Sequence, residues 1–192
     1  MECKLLKEEL NIKGACLLTP KVFVDERGCF SELYNRKEYE SCGIDDLFIQ
    51  DNISISERGV LRGVHTQLLN PQAKIVACLC GRIFDVAVDC RPQSPTFRNW
   101  YGVELSGENH KQIYLPIGVA HGFYTIERAT VFMKVTTHYM AGDEVGFLWN
   151  DSEVGIEWPQ GIVPILAEKD TRWEGFNEMM KKIENTDNRL SI

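Results

Sequence analysis

Short hydrophobic runs separated by Gly, Pro, Asn and Asp occupy most of the chain between residues 14 and 158, among them KIVACLCG, IFDVAVDC, QIYLPIG, HGFYTI and TVFMKVTTHYM. Spacing of this kind is typical of an antiparallel sandwich or barrel. In IFDVAVDC, alternation places Asp85 and Asp89 on one face of a strand, with Ile83 and Ala87, and Phe84, Val86 and Val88 on the other. The pattern therefore predicts an all-β domain with polar groups on one face of an inner strand.

Two stretches show helical periodicity instead. SELYNRKEYESCG ends at Gly43, a residue type that often follows a helix C-terminus. RWEGFNEMMKKIEN spaces its aromatic, methionine and isoleucine residues as a helix does, which predicts a C-terminal helix over about residues 171–185 that packs on the barrel. No linker or repeat interrupts the chain, and 192 residues can bury one core. A single domain over residues 1–192 is predicted.

Charge and composition narrow the class of protein. The net charge is -7 and Lys and Arg are not clustered, which argues against a nucleic-acid-binding surface. A nucleotide ligand stays possible, because a diphosphate needs only two or three local cations. The N-terminal MECKLLKEEL is polar, and no run of about 18 apolar residues occurs, so neither secretion nor membrane insertion is expected.

The seven cysteines are odd in number and contain no Cys-x-x-Cys pair. Most lie among apolar neighbours, where a free thiol behaves as a small hydrophobic side chain. Their spacing fits neither a disulfide framework nor a zinc site. Reduced thiols and a cytoplasmic location are predicted.

Two of the four histidines stand out by context: His65 comes after a glycine-led turn in RGVHTQ, and His121 lies in LPIGVAHGF. The Pro-x-Gly-x-x-His pattern of the second resembles the cupin superfamily, in which such a turn presents a histidine to the barrel mouth. Metal-binding cupins also carry His-x-His on an earlier strand, where this chain has His65-Thr66-Gln67. We therefore expect no metal site.

An imidazole, a carboxylate, an ammonium and a guanidinium without a metal suit proton transfer next to a ketone. The imidazole removes the proton, and a cation stabilises the enolate oxygen. A carboxylate behind the imidazole fixes its tautomer.

Six stretches of the chain resemble the dTDP-4-dehydrorhamnose 3,5-epimerase family, in the family's order and nearly its spacing: FVDERGCFSE, FIQDNISISERGVLRGVHTQ, QAKIVACLCGRIFDVAVDCRPQSPTF, PIGVAHGF, GFLWNDSEVGIEWP and ILAEKD. The resemblance covers about residues 15–175. It implies a cupin jelly-roll barrel, a homodimer, and an epimerase of nucleotide-linked 4-keto-6-deoxy sugars that needs neither a metal nor an organic cofactor.

The same resemblance implies a role for each matching residue. His65 becomes the base and Asp170 the carboxylate that orients it, while Lys74 and Arg62 face the C4 oxygen and the sugar. The remaining substrate contacts implied are a buried His121–Asp85 pair lining the pocket, Gln50 and Asn52 at the sugar or phosphate, Phe23 and Arg27 reaching the nucleotide across the dimer with Glu32 nearby, and Tyr139 at the nucleotide.

Several of these residues also have a purely structural interpretation. Asp170 could cap the C-terminal helix. Lys74 could be a solvated lysine on an edge strand, and Arg27 could form a surface ion pair of little energetic weight. The His121–Asp85 pair could serve only to stiffen the pocket, and Phe30 is expected in the core.

Two residues depart from the family pattern. Met133 stands where the double epimerases have a tyrosine that delivers the second proton, and a thioether has no transferable proton. Thr66 replaces a tyrosine and is expected to shorten a pocket wall. We therefore expect inversion at C3 alone.

Other interpretations stay open at this point. The chain could be a full 3,5-epimerase that uses Tyr139 or Tyr124 as the acid, an isomerase that moves the keto group to C3, or an idle cupin that binds a sugar nucleotide. The nucleotide could carry dTDP, CDP or GDP.

Overall fold

The computed structural model describes residues 5–161 and 163–186, within which eleven strands and two short helices confirm the all-β prediction. The ends of the predicted 1–192 domain, with Cys3, lie outside the described residues. The strands are β1 (Leu5–Glu9), β2 (Cys16–Pro20), β3 (Val22–Asp25), β4 (Gly28–Ser31), β5 (Gln50–Ser56), β6 (Leu61–Gln67), β7 (Lys74–Asp89), β8 (Trp100–Ser106), β9 (Gln112–Leu115), β10 (Val119–Val135) and β11 (Glu144–Gly146). The helices are α1 (Arg36–Ser41) and α2 (Phe176–Asn185).

The long strands β7 and β10 form the centre of the fold. They pair antiparallel from Val119 opposite Asp89 to Val135 opposite Lys74. β9 pairs with the first half of β7 and β8 with its second half. β6 pairs with the first half of β10 and β5 with its second half. Because the strands change partners half-way, the sheet forms the two layers of the predicted jelly roll.

At two places where the sequence predicts the end of one strand and the start of the next, the structure has a bend within a single long strand. KIVACLCG and IFDVAVDC belong to β7, and HGFYTI and TVFMKV belong to β10. The register between the two strands shifts between Thr125 and Val131. Gly81 has φ +75°, and a Cβ there would lie 2.0 Å from the Arg128 carbonyl oxygen, so a glycine is needed where the strands cross closely.

The C-terminal helix begins later than its periodicity predicts. Glu174 still forms a β-bridge with Phe147, and α2 starts only at Phe176, whose backbone N–H donates to Asp151 Oδ2 at 2.9 Å. The capping carboxylate is therefore Asp151, and the interpretation of Asp170 as the cap is wrong. α2 buries its apolar residues against the barrel as predicted.

Both faces of β7 contribute to the core. Val86 is fully buried on one face, and Ile83 and Asp85 are fully buried on the other. Asp85, one of the two polar residues predicted on one face of this strand, is thus enclosed by the barrel. Phe30, expected in the core, is 66% exposed on the β3–β4 hairpin.

Three cysteines, Cys16, Cys78 and Cys90, are buried and form no disulfide, as predicted, whereas Cys29 and Cys80 are exposed. Among the described residues, no helix has the length and apolar character needed to cross a membrane.

Replacing Asp151 with Ala should lower the free energy of unfolding by about 1–2 kcal/mol, because the carboxylate accepts the first N–H of α2 and two further backbone N–H groups. Urea denaturation measures this change. Glu157→Ala, which removes an exposed carboxylate nearby, is the control and should shift stability by less than about 0.5 kcal/mol. Equal effects of the two changes would contradict the capping role.

Candidate active site

A cavity of about 250 Å³ lies between two groups of strands at one end of the barrel. We call the side formed by β5, β10 and β7 the floor; it consists of Gln50, Asn52, Met133, Val135 and Lys74. We call the side formed by β6 and β11 the roof; it consists of His65, Gln67 and Glu144. Gln72 and Tyr139 complete the lining from the connecting segments.

The strand register assembles the floor. Lys74 lies opposite Val135 across β7 and β10, and Gln50 lies opposite Val135 across β5 and β10. Two residues along β10, Met133 lies opposite Asn52. Since opposed residues in an antiparallel pair project to the same side, these five side chains share one face of the sheet.

The roof depends on a close approach between β6 and β11. Gln67 lies opposite Glu144, and His65 lies opposite Gly146. A Cβ at Gly146 would lie 2.9 Å from the Cβ of His65 and 2.6 Å from the Val64 carbonyl oxygen. Glycine is therefore required for β11 to pack beside the histidine.

Tyr139 lies on the segment that joins β10 to β11, and amide side chains of the pocket fix this segment. The Tyr139 backbone N–H donates to Gln50 Oε1, and the Met140 N–H donates to Gln67 Oε1. Gln72 donates to the Thr137 carbonyl oxygen. The Tyr139 side chain, 52% exposed, thus stands at the mouth of the cavity.

The environment of His65 favours a neutral imidazole. Burial, together with the positive charges of Lys74 and Lys169 and the proximity of His121, holds the pKa of His65 well below its ordinary value. Its Nδ1 lies 3.7 Å from Glu144 Oε1, and the other Glu144 oxygen accepts from Lys169 at 2.5 Å. A neutral imidazole at neutral pH can accept a proton, as a general base must.

Lys74 is 7% exposed and is not the solvated edge lysine considered from the sequence. Burial lowers the pKa of Lys74 to about 8, although Glu144 and Asp85 act in the opposite direction. Within the described part of the chain, the structure shows no hydrogen bond or ion pair of the Lys74 ammonium. The group is therefore available to a ligand in the cavity.

His121 and Asp85 form the buried pair implied by the family resemblance, with Nε2 to Oδ2 at 2.8 Å. Burial raises the pKa of Asp85, and His121 opposes this shift. His121 lies opposite His65 across β10 and β6. Neither member of the pair is among the residues lining the cavity, so the pair lies behind the site.

Asp170 was expected to orient the His65 imidazole, but the structure shows no hydrogen bond or ion pair between the two side chains. Its Oδ1 accepts the Trp173 indole N–H at 3.1 Å, and the nearby Gly63 backbone N–H acts to lower the pKa of this carboxyl, against the larger effect of burial. The carboxylate thus lies near the strand that carries His65, two residues before it. The carboxylate that lies beside the imidazole is Glu144.

Of the residues expected at the nucleotide, Tyr139 lines this cavity, whereas Phe23, Arg27 and Glu32 lie apart from it. Phe23 and Arg27 line a separate depression on their own β3–β4 hairpin, where Arg27 pairs with Asp25. Glu32 accepts a hydrogen bond from Asn35. Arg62, expected to face the C4 oxygen and the sugar, is also absent from the cavity lining: it is exposed and donates to Ser56 Oγ at 3.0 Å.

Four lining residues were missed from the sequence: Gln67, Gln72, Val135 and Glu144. Alternation within β6 would have found Gln67, which shares the face of His65. Nothing local signals Glu144, because β11 is three residues long and its partner is 77 positions away. Thr66 is fully buried and is not among the residues that line the cavity, so its effect on a pocket wall stays a prediction.

In residues 5–161 and 163–186, no cluster of three or more His, Cys, Asp or Glu side chains is arranged to hold a metal ion. What the pocket does bring together is a neutral imidazole on one side and a buried ammonium on the other. This combination suits proton removal next to a carbonyl group and stabilisation of the resulting enolate.

The family model for dTDP-4-dehydrorhamnose 3,5-epimerase matches residues 9–178. The chain belongs to this family. It is 48% identical to the dTDP-4-dehydrorhamnose 3,5-epimerase of Salmonella typhimurium over 83% of this chain and 88% of that protein. The structure of the RmlC 3,5-epimerase of Legionella pneumophila superposes with a TM-score of 0.89 at 41% identity, covering 93% of this chain and 96% of that one.

A 3'-monoepimerase is a more distant relative. ChmJ of Streptomyces bikiniensis is 28% identical with a TM-score of 0.81, covering 93% of this chain and 98% of that one. The sequence prediction of a sugar-nucleotide epimerase is confirmed. The more similar relatives are named 3,5-epimerases, whereas Met133 led us to expect inversion at C3 alone.

Replacing Lys74 with Met should stabilise the fold at pH 7 by up to about 3 kcal/mol, because the buried ammonium has a pKa near 8 against 10.5 for a free lysine. Between pH 8 and 10.5 the unfolded chain holds a proton that the folded chain has lost, so the stability of the wild type rises with pH in this window. The advantage of Lys74→Met should therefore shrink as pH rises from 8 to 10.

Urea denaturation at a series of pH values measures this difference. Lys182→Met, at an exposed lysine paired with Glu174, is the control and should show no such trend. A Lys74→Met advantage that is constant from pH 7 to 10 would contradict the shifted pKa.

Proposed function

We propose that this protein inverts C3 and C5 of dTDP-4-dehydro-6-deoxyglucose, in a cytoplasmic pathway of deoxysugar synthesis. The observation that carries the proposal is the placement of His65 and Lys74 on opposite sides of one cavity, in a chain 48% identical to a 3,5-epimerase. Unpaired buried thiols agree with a reducing compartment.

In this mechanism the His65 imidazole removes the proton from the carbon beside the C4 ketone. The Lys74 ammonium donates a hydrogen bond to the C4 oxygen and stabilises its negative charge. Asp170 acts on His65 through the backbone of β6. The buried His121–Asp85 pair lies behind the cavity, where His121 is opposite His65 across β10 and β6, and it stiffens this part of the barrel.

The cavity volume also indicates how the substrate lies. About 250 Å³ is slightly below the range of typical small-molecule sites, roughly 300–1,000 Å³, and suits the sugar alone. The nucleotide then extends past Tyr139 at the mouth, where the ring can stack on the base. The Legionella pneumophila structure was solved with dTDP-4-keto-L-rhamnose, which supports dTDP as the nucleotide over CDP or GDP.

Met133 favours a second candidate, inversion at C3 alone. It is part of the cavity lining on the floor, opposite the side of His65, and carries no transferable proton. Tyr124 does not line the cavity.

Incubation of the purified protein with dTDP-4-dehydro-6-deoxyglucose in D₂O, followed by NMR, should show deuterium at both C3 and C5 with inversion at each. Label and inversion at C3 alone would replace the proposal with the second candidate. Parallel incubations with the CDP- and GDP-linked sugars should give slower exchange.

His65→Asn should lower the exchange rate by about 10²–10⁴-fold, because the general base is lost. His110→Asn is the matched control. It makes the same substitution at a turn position with φ 53°, a conformation that asparagine tolerates, and should leave exchange unchanged. Undiminished exchange in His65→Asn would refute the assignment of the base.

We also propose that the protein acts as a homodimer. The β3–β4 hairpin pairs only with itself among the described strands, and it exposes Phe23, Val24 and Phe30. An isolated two-stranded hairpin with apolar side chains in water is marginally stable, so a second copy of the chain is expected to cover it. Phe23 and Arg27 would then reach the partner's nucleotide.

Light scattering of the purified protein should give twice the 22.0 kDa mass of one chain. Phe30→Asp should weaken the dimer, because it places a charge in the covered surface. Val163→Asp, at a still more exposed apolar residue outside the hairpin, should leave the mass unchanged. A monomeric wild type would contradict the proposal.

A further inference from the structure

Inversion at a carbon requires chemistry on both of its faces. A base that removes a proton from one side and returns it to the same side leaves the configuration unchanged. His65 serves one side, from the roof. A group with an acidic proton is therefore needed on the floor.

The floor offers few such groups. Gln50 and Asn52 carry neutral amides, and Val135 and Met133 carry no exchangeable proton. Lys74 is the floor residue, among those the structure describes, that has an acidic proton to give.

The position of Lys74 fits this task. On the shared face of β7 and β10 it is the diagonal neighbour of Met133, since Lys74 lies opposite Val135 and Met133 lies opposite Val76. Diagonal neighbours in an antiparallel pair are roughly 7–8 Å apart at their Cα atoms, within reach of a long side chain. The Lys74 ammonium can therefore occupy the space in front of the methionine.

The surroundings of Lys74 also make its proton transferable. It is buried, and its pKa of about 8 is lowered by that burial. The charged and titratable groups that face it are His65 from β6, Glu144 from β11 and Asp85 from its own strand. An ordinary lysine would hold its proton too tightly near neutral pH to act as an efficient acid.

We propose that Lys74 is the acid that returns the proton on the side opposite His65, a catalytic role that rests on the epimerase function proposed above. His65 takes the proton from the carbon, and the electron pair of the broken C–H bond enters the enolate. A Lys74 N–H bond then breaks as the new C–H bond forms on the other face. His65 is left protonated and Lys74 neutral, and proton exchange with water restores both.

Tyr139 is the competing donor. Its side chain is half exposed at the cavity mouth, and its segment is tied to the pocket through backbone hydrogen bonds. This position suits a contact with the nucleotide better than with the sugar carbons.

The test separates deuterium exchange from inversion in the intact protein. Lys74→Arg keeps the positive charge at the C4 oxygen, but a guanidinium does not release its proton. Exchange by His65 with retained configuration should persist within about 10-fold of wild type, while inversion falls by about 10²-fold or more. The matched control, Lys134→Arg, changes a neighbouring lysine that pairs with Asp51 outside the cavity and should invert normally.

Adding Met133→Tyr to Lys74→Arg places a phenol on the same floor and should restore inversion. In proteins that retain Lys74, the ratio of inversion to exchange should fall as pH rises above about 8, because the donor must be protonated. Met133→Tyr alone should move this fall to higher pH, since a phenol ordinarily titrates near pH 10.

Inversion by Lys74→Arg within threefold of wild type would overturn the proposal. Equal loss of exchange and inversion that Met133→Tyr does not repair would also overturn it, since Lys74 would then act on the enolate oxygen alone. Loss of inversion with retained exchange in Tyr139→Phe, but not in Lys74→Arg, would assign the role to Tyr139. A wild type that neither exchanges nor inverts would refute the proposed function itself.

Discussion

The antiparallel pairing of β7 with β10 is the constraint on which the rest of the structure depends. Four other strands attach to one or other member of this pair, and two of the cavity's floor positions, Lys74 and Val135, face each other at its end. A slip of one residue would turn Lys74 to the opposite face of the sheet and remove its charge from the cavity. The bend at Gly81, closely packed on Arg128, holds the two halves in the layers that enclose the site.

The electrostatics of the site follow from this enclosure. Burial lowers the pKa of both His65 and Lys74, and the positive charge of Lys74 lowers the pKa of His65 further. The result is a neutral base and a readily deprotonated ammonium. Glu144, paired with Lys169 at 2.5 Å, lies 3.7 Å from the His65 imidazole and opposes the lowering of the Lys74 pKa. The buried His121–Asp85 pair adds a second hydrogen-bonded unit behind His65.

Met133 explains why family membership alone does not fix the chemistry of this chain. Its relatives include a 3,5-epimerase at 41% identity and a 3'-monoepimerase at 28%, both with the same fold. The fold supplies the cavity, whereas the side chains on the floor decide on which face a proton can return.

The sequence by itself determined the all-β class, the family, and the identities of His65, Lys74, Gln50, Asn52, Met133 and Tyr139 as residues of one pocket. Alternation and turn residues are local signals, so they identify strands and the faces of their side chains. The tertiary structure decided that Glu144 and not Asp170 lies beside His65, that Asp151 caps α2, and that Phe23 and Arg27 stand away from the cavity. Some of these contacts join residues far apart in the chain. Others depend on strand register or on which part of the surface stays uncovered. No short stretch of sequence encodes these properties.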